Sequence, residues 1–286
     1  MRRKRRKTKK SNSSQPAKNK KLLTLGKSLI ADLRGFGLSI IRFLKKICHY
    51  FFFPVITNEQ FHRDYQQGRR NFSKLKFEGV NLDSIPIREL NLQYSDLRNC
   101  VNLKYADLTS ARFPNVNLNG VDLSGLVQMN INFTKTKLRG ANFNKSNLQG
   151  AIFTRAVLTN ASLNLAYMPE CNFSSAQMTG AGCADSVFTR TNFSGANLFN
   201  ANLSNTIINS GNLSGANVIS TNLSGADLSG CTLKRVSIWK ANYELTDFNN
   251  TDYVLIMNNL SLAASSWNTW FKHIVGMKKK KPKKTA

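Results

Sequence analysis

The sequence lacks the features by which membrane-spanning and metal-binding proteins are recognised. No apolar run reaches the roughly 18 residues of a spanning helix, and the longest uncharged apolar-rich run extends from Ile47 to Thr57. No cleavable signal peptide is expected, because the basic start continues to Lys21 and charged residues interrupt the apolar stretch that follows. The few cysteines form no CxxC pair, so we expect single buried thiols in a reducing compartment. They are Cys48, Cys100, Cys171, Cys183 and Cys231.

Groups that perform catalysis are also scarce. The histidines, His49, His62 and His273, all lie outside residues 72–253, which removes the usual general base from the best-defined part of the chain. No glycine-rich loop has the context of a phosphate-binding motif, and no pair of carboxylates is singled out by its spacing. The sequence therefore predicts that the protein is not an enzyme and has no catalytic residue, cofactor or metal site.

Acidic residues are few, and their shortage is uneven. The chain has 41 Lys/Arg against 15 Asp/Glu. Residues 1–71 carry a net charge of +16, residues 72–253 one of +3, and residues 254–286 one of +7. The basic character therefore belongs mainly to the two ends of the chain.

A five-residue repeat fills the centre of the chain. From Leu103 to Tyr253 every fifth residue is apolar, with Gln128 as the one exception among 31 positions. The residue two places before each central residue is small in most repeats, and the residue directly before it is often Asn or Asp. Six further repeats, with centres from Phe72 to Leu97, precede a one-residue insertion before Leu103. Gln128 itself predicts a local bulge or an outward-turned corner.

A strict period of five fits neither an α-helix nor a strand, so the chain must turn a corner in every repeat. Four corners close a coil of 20 residues, and central residues 20 apart then stack at a strand spacing of about 4.8 Å. The sequence contains such ladders, among them Phe113, Phe133, Phe153, Phe173 and Phe193. The pattern predicts an all-β solenoid of about nine coils with a side-chain-filled interior.

The repeat resembles that of the pentapeptide-repeat family, A(D/N)LxX. It is clearest in Ala-Asn-Leu-Ser-Asn at 201–205 and Ala-Asp-Leu-Ser-Gly at 226–230. The resemblance implies a right-handed square β-helix over residues 72–253, with the central and the small residues inside and the other three outside.

Two flanking segments are predicted to be short helices. Residues 22–57 form an amphipathic segment that either caps the solenoid or lies on a membrane surface as an interfacial anchor. Its apolar stripe consists of Leu22, Leu25, Leu29, Leu33, Phe36, Ile40, Leu44 and Ile47. Residues 254–277 are predicted to form a C-terminal helical cap, because both ends of a solenoid need covering.

The remaining segments are predicted to lack regular structure. Residues 58–71 are read as a linker, and residues 1–21 and 278–286 as basic tails. The tails suit anionic lipid, nucleic acid or a nuclear-import role, and composition leaves these alternatives open.

One basic surface patch is predicted inside the repeat region. No Asp or Glu occurs from Leu123 to Pro169, and five cations fall within this stretch. Two of them are 20 residues apart, so they stack in neighbouring coils and an anionic partner would relieve their repulsion. The candidate anion-facing patch consists of Lys135, Lys137, Arg139, Lys145 and Arg155.

These patterns favour a non-enzymatic binding scaffold that docks to a protein or to an anionic membrane. The family resemblance adds bacterial effectors secreted into host cells as one alternative, and DNA mimics that act on gyrase as another. A DNA mimic needs an acidic face, which counts against that alternative here. Sequence-indifferent nucleic-acid binding through the basic residues is a further alternative. A cytoplasmic or peripheral membrane location is expected, and the partner and the choice between monomer and homodimer stay open.

Overall fold

The computed structural model describes residues 53–251 of the 286-residue chain. The chain divides between Val55 and Ile56, and the features below belong to the second part, except for Val55 itself. Its regular elements come first: strand β1 (Val55–Thr57), helix α1 (Asn58–Gln66), and strands β2 (Lys76–Asn81) and β3 (Asp96–Val101). Short 3₁₀ turns occupy Ile87–Glu89 and Leu103–Tyr105. The three strands form one sheet in the order β1-β2-β3, in which β2 and β3 are parallel.

Beyond these elements the chain is a parallel β-helix whose ladder has a period of 20 residues. Single bridges join Arg112 to Asn132, and then one residue of every repeat to its equivalent 20 residues later, as far as Asp247. Two pairs around the insertion, Pro86 with Asp107 and Asp96 with Asn117, are 21 residues apart. The one-residue insertion therefore lengthens one coil and leaves the later register intact.

A repeat with Asn or Asp before its centre can satisfy every one of its backbone N–H groups, as residues 141–145 illustrate. Asn142 N–H donates to the preceding coil at Val121 O (2.9 Å), while Phe143 N–H and Lys145 N–H donate to the following coil. Ala141 N–H closes the preceding turn on Leu138 O (3.1 Å). Asn144 N–H donates to the Asn142 side-chain oxygen at 3.0 Å. An Asn or Asp before the centre is thus favoured because it accepts the one N–H that the turn leaves unpaired.

Each corner is a type II turn. Every fifth residue from Ser110 to Asn250, two places after a centre, has a φ between 55° and 71°. A type II turn requires φ > 0 at its third residue, which favours Gly and Asn. Lys135, Lys145 and Arg155 also occupy this position, with φ values of 57°, 59° and 57°. Their side chains are therefore fixed at corners of the solenoid.

The 20-residue register gives the solenoid four sides. We name them by successive repeats of one coil, so that residues 111–115 belong to side A, 116–120 to side B, 121–125 to side C and 126–130 to side D. Residues 20 apart along the ladder share a side. Sides A and B meet at the corner that holds Lys135 and Arg155, and sides C and D meet at the opposite corner, which holds Lys145.

The interior is filled by the central and the small residues of the repeats. On side A the Phe113, Phe133, Phe153, Phe173 and Phe193 rings stack with centroids 4.6–5.4 Å apart. All five rings are fully buried, and so are most of the small residues beside them. Stacked aromatic burial of this kind contributes roughly 1 kcal/mol per pair beyond the area that it removes from water.

The predicted bulge at Gln128 is wrong. Gln128 N–H keeps its place in the ladder by donating to Asn147 O at 2.8 Å, and Val127 still bridges Asn147. Asn130 has the ordinary corner conformation, with φ 56°. Gln128 is half-buried. Leu126 and Ile131 are both buried at the position that holds a small residue in most repeats, and their larger side chains fill the interior beside Gln128.

The predicted linker over 58–71 also needs correction, because residues 58–66 form helix α1. Thr57 caps this helix by accepting a hydrogen bond from Gln60 N–H at 3.4 Å. Phe61 is fully buried, and its ring lies 4.8 Å from Phe72 and 5.7 Å from Phe77. The helix therefore covers the first repeats, whose aromatic side chains would otherwise face water. The end of the predicted helical segment 22–57 is likewise strand β1.

The rest of the segment 22–57, the predicted cap over 254–277 and both basic tails lie outside the described residues. Within residues 53–251, no helix is both long and apolar enough to cross a membrane.

Two serines on side D should respond oppositely to substitution by alanine. Ser186 Oγ donates to Leu163 O at 2.6 Å, whereas the buried Ser146 Oγ has no hydrogen-bond partner among the described residues. Ala166 occupies the equivalent position in the coil between them. Ser146→Ala should raise the free energy of unfolding by about 1 kcal/mol, and Ser186→Ala should lower it by about 1 kcal/mol. Denaturant unfolding of both variants measures the difference, and equal shifts of the same sign would contradict it.

Candidate binding surfaces

Charge is divided between the sides of the solenoid. Residues 111–250, all of which the structure describes, contain ten Lys/Arg and six Asp/Glu. In the observed register every one of these carboxylates lies on sides C and D. Eight of the ten cations lie on sides A and B, which we call the basic side. These eight are Arg112, Lys135, Lys137, Arg139, Arg155, Lys234, Arg235 and Lys240.

The register brings together four of the five residues of the predicted anion-facing patch. Lys135 and Arg155 lie at the corner between sides A and B in successive coils, and both are exposed. Lys137 is half-buried in the middle of side B, and the exposed Arg139 lies at its far corner. Lys145 is exposed at the opposite corner, between sides C and D. The structure therefore separates Lys145 from the other four residues.

Ion pairing distinguishes the basic side from the start of the solenoid. Six ion pairs lie between Asp64 and Asp122, and a seventh joins Arg190 to Glu170 on side D. Among the described residues, no carboxylate lies within ion-pair distance of Lys135, Arg139 or Arg155. Six cations of the first coils are thus paired within the protein, whereas these three are exposed and have no such pair among the described residues.

The same side carries a row of apolar residues nearer the C-terminus. Phe199, Ile219 and Trp239 occupy equivalent corner positions in three successive coils. Phe199 is 42% exposed and Trp239 is 47% exposed. The ammonium group of Lys240 lies 4.3 Å from the Trp239 ring centroid, a cation–π contact that holds the ring at the surface.

Sides C and D present a different surface, on which apolar residues lie among carboxylates. Leu165, Tyr167 and Ile207 are exposed, with half-buried Val187 between the last two in the ladder. Glu170 and Asp185 lie on the same two sides, at corner positions. The solenoid therefore has two chemically distinct surfaces.

Both the division of charge and the apolar row are visible in the sequence once it is read at the coil period. Counting along the chain shows only a stretch without acidic residues from 123 to 169. Sorting residues by their position within 20 shows instead that two whole sides lack carboxylates throughout residues 111–250. Of the patch predicted from linear spacing, Lys145 lies on the other two sides, and the surface without carboxylates extends beyond the remaining four residues.

The thiols of the solenoid are buried and protonated. Burial raises the pKa of Cys171, Cys183 and Cys231 to about 12. Cys171 Sγ and Cys231 Sγ also donate to carbonyl oxygens of the preceding coil, Leu148 O at 3.0 Å and Ile208 O at 3.2 Å. Cys171 and Cys231 fill the small interior position of their repeats, and Cys183 is a central residue. No cluster of metal-ligating side chains occurs among residues 53–251. The predicted membrane or capping stripe, Leu22 to Ile47, lies outside this range.

Comparison with known proteins identifies the repeat. The family model for pentapeptide repeats matches eight copies over residues 89–126, 129–164, 166–205 and 212–250. The chain belongs to the pentapeptide-repeat family. The family has a right-handed β-helix fold, which agrees with the parallel ladder of this chain.

Solved pentapeptide-repeat proteins match the chain at low sequence identity. HetL, which is involved in heterocyst differentiation regulation in the cyanobacterium Nostoc, is 19% identical. The match covers 67% of this chain and 94% of HetL, with a TM-score of 0.50. QnrB1, a plasmid-mediated fluoroquinolone resistance protein, is 15% identical over 70% of this chain and 97% of its own, with a TM-score of 0.27. No curated protein matches the chain.

Alkaline pH should unfold the protein partly through its buried thiols. The folded pKa of Cys171 and Cys231 is raised to about 12, above the ordinary value of about 8.5. The contribution of the two protonated thiols to the free energy of unfolding is therefore complete at pH values below about 8.5. It is lost as the pH rises toward the folded pKa, by up to about 1.4 kcal/mol per pH unit for each thiol. Alanine is the commonest residue at the small interior position, so Cys171→Ala/Cys231→Ala should be tolerated in the fold. Above about pH 9 this variant should lose less stability than the parent.

Denaturant unfolding from pH 7 to pH 11 measures both proteins. If the free energies of unfolding of the two proteins fell in parallel across this range, the thiols would not contribute to the alkaline loss of stability.

Proposed function

We propose that this pentapeptide-repeat protein is a non-enzymatic binding scaffold, a rod of about nine coils with basic arms that docks to an anionic membrane or to a protein. The observation that carries the proposal is the basic side, whose exposed Lys135, Arg139 and Arg155 have no carboxylate partner among the described residues. The filled interior supports it further, because recognition must then use outward side chains. Membership of a repeat family with extended binding surfaces is consistent with this role.

Membrane docking is the branch that the sequence and the surface favour together. The stripe from Leu22 to Ile47 is predicted to insert apolar side chains into the interface, and the basic tails add attraction to anionic lipid. A protein partner is the other branch. For it, the exposed apolar residues of sides C and D, such as Tyr167 and Ile207, offer a second surface.

Sequence-indifferent nucleic-acid binding is a second candidate function, favoured by the cations alone. Its weakness is that the described part of the basic side has two exposed rings, Phe199 and Trp239, which lie two coils apart, whereas single-strand grooves stack successive bases on neighbouring rings. A DNA-mimic role has less support still. It requires a continuous acidic surface, and the six carboxylates of residues 111–250 lie scattered over sides C and D.

Co-sedimentation of the full-length protein with vesicles tests the proposal. We expect it to pellet with phosphatidylcholine vesicles that contain phosphatidylglycerol and to remain soluble with phosphatidylcholine alone. Leu29→Asp/Leu33→Asp, which places charge in the predicted apolar stripe, should reduce binding at moderately high salt at least about tenfold, because two buried leucines contribute several kcal/mol. A matched control, Ser28→Asp/Ala31→Asp, adds the same charge outside the stripe and should keep its salt-resistant binding.

If the parent protein stays in solution with anionic vesicles at low salt, the membrane branch is wrong and the protein-partner branch remains. Equal losses in the two variants would show that charge, and not apolar insertion, governs binding.

A further inference from the structure

We infer that the basic side of the solenoid is itself a membrane-docking surface, which lies flat against an anionic bilayer. The inference rests on the proposed membrane docking and assigns the repeat region a part in it. The contacts would come from Lys135, Arg139 and Arg155 toward one end and from Phe199, Ile219 and Trp239 toward the other.

Charge gives the first reason. Sides A and B carry eight cations and no carboxylate throughout residues 111–250. Lys135 and Arg155 start from backbone positions only about 4.8 Å apart, the strand spacing, and Lys135 N–H is bonded to the coil of Arg155 through Thr154 O at 3.0 Å. The backbone therefore holds two like charges together, and a layer of lipid phosphates would stabilise both.

The apolar row gives the second reason. Tryptophan is enriched at the membrane–water interface, where its ring sits at the level of the headgroups. Trp239 is 47% exposed, and Lys240 Nζ lies 4.3 Å from its ring centroid, so an aromatic group and a cation are presented together. Phe199 and Ile219 continue the row along the same corner. Basic and aromatic residues on one side are the combination that interfacial surfaces use.

Exposed apolar residues alone do not show which surface contacts the bilayer, because Leu165, Tyr167 and Ile207 are exposed on sides C and D. Charge decides between the two surfaces. Asp185, which has no ion pair within the described part of the chain, lies among those residues, and an anionic bilayer would repel it. The basic side pairs its apolar row with cations only.

The arrangement also favours a bilayer over a nucleic acid. On sides A and B, Phe199 and Trp239 are the exposed aromatic residues within 111–250, and they lie two coils apart with Ile219 between them. A base-stacking groove needs rings at successive positions, on which consecutive bases stack. A plane of lipid headgroups needs no such spacing, because it contacts the cations and the apolar row of one side at once.

Trp239 offers a direct reporter. The full-length variant Trp267→Phe/Trp270→Phe retains Trp239 as its single tryptophan. We expect its emission to shift to the blue and to be quenched by brominated lipid when phosphatidylcholine vesicles contain phosphatidylglycerol. Neither change is expected with phosphatidylcholine vesicles alone.

Two matched pairs of variants locate the contact. Lys135→Asn/Arg155→Asn should weaken partitioning into anionic vesicles about thirtyfold, since each cation near such a surface contributes about a five- to sixfold factor. Lys145→Asn/Arg190→Asn removes two cations from the opposite sides and should change partitioning only about threefold or less. All four positions have positive φ, which asparagine tolerates well, so folding should be preserved in both variants.

For the apolar row, Phe199→Ser should reduce partitioning at least about tenfold. Ile207→Ser should leave it unchanged, although Phe199 and Ile207 are equally exposed, at 42% and 41%.

Three outcomes would overturn the inference, and they are distinguishable. If the parent protein does not bind anionic vesicles, the proposed membrane docking fails as well. If it binds but Trp239 stays in water and both asparagine variants behave alike, the predicted stripe carries the docking and the basic side does not. If duplex DNA or an acidic protein changes the Trp239 emission and vesicles do not, the basic side serves that partner instead.

Discussion

The structure depends on one conformational constraint, a left-handed residue in every fifth position. Each type II turn redirects the chain after three extended residues, so four turns return it to the same side one strand spacing further along. The constraint persists where its usual residues are absent, since Lys135, Arg155 and Leu165 adopt φ values near 60°. Inter-coil hydrogen bonds on both sides of each corner outweigh the local cost of about 1 kcal/mol per residue.

The regular corners also determine which side chains can lie on the surface and on which side of the solenoid they lie. Interior positions must hold apolar or small residues, so functional variation is confined to three outward positions of each repeat. Because these positions recur every 20 residues, charges far apart in the sequence collect on one side. Arg112 and Lys240 are separated by more than a hundred residues, yet both belong to the basic side. A surface of this kind is assembled residue by residue without altering the fold.

Much of the fold was predictable from sequence because its repeat is enforced sterically at nearly every position. The Phe113–Phe193 ladder and the insertion before Leu103 follow from spacing alone. Gln128 was misjudged because a polar centre was assumed to displace the backbone, whereas neighbouring Leu126 and Ile131 compensate through side-chain volume. Helix α1 was missed although Thr57 and Gln60 have the spacing of a capping box. A helix of nine residues owes its stability mainly to the contact of Phe61 with Phe72, which sequence periodicity does not reveal. The candidate surface was only partly predictable, because a linear stretch without acids does not show which residues share a side.

The 20-residue register also has a consequence for how such a protein changes size. Removing or adding one whole coil moves everything beyond it by one strand spacing, about 4.8 Å, without rotating it. The distance between the Lys135–Arg155 corner and the Phe199–Trp239 row is therefore adjustable in equal steps. An insertion of one five-residue unit would instead rotate the later repeats by one side of the solenoid. The Phe199–Trp239 row would then no longer share a side with Lys135 and Arg155. Separation and orientation are thus encoded independently, the first in the number of coils and the second in the position of each repeat within its coil.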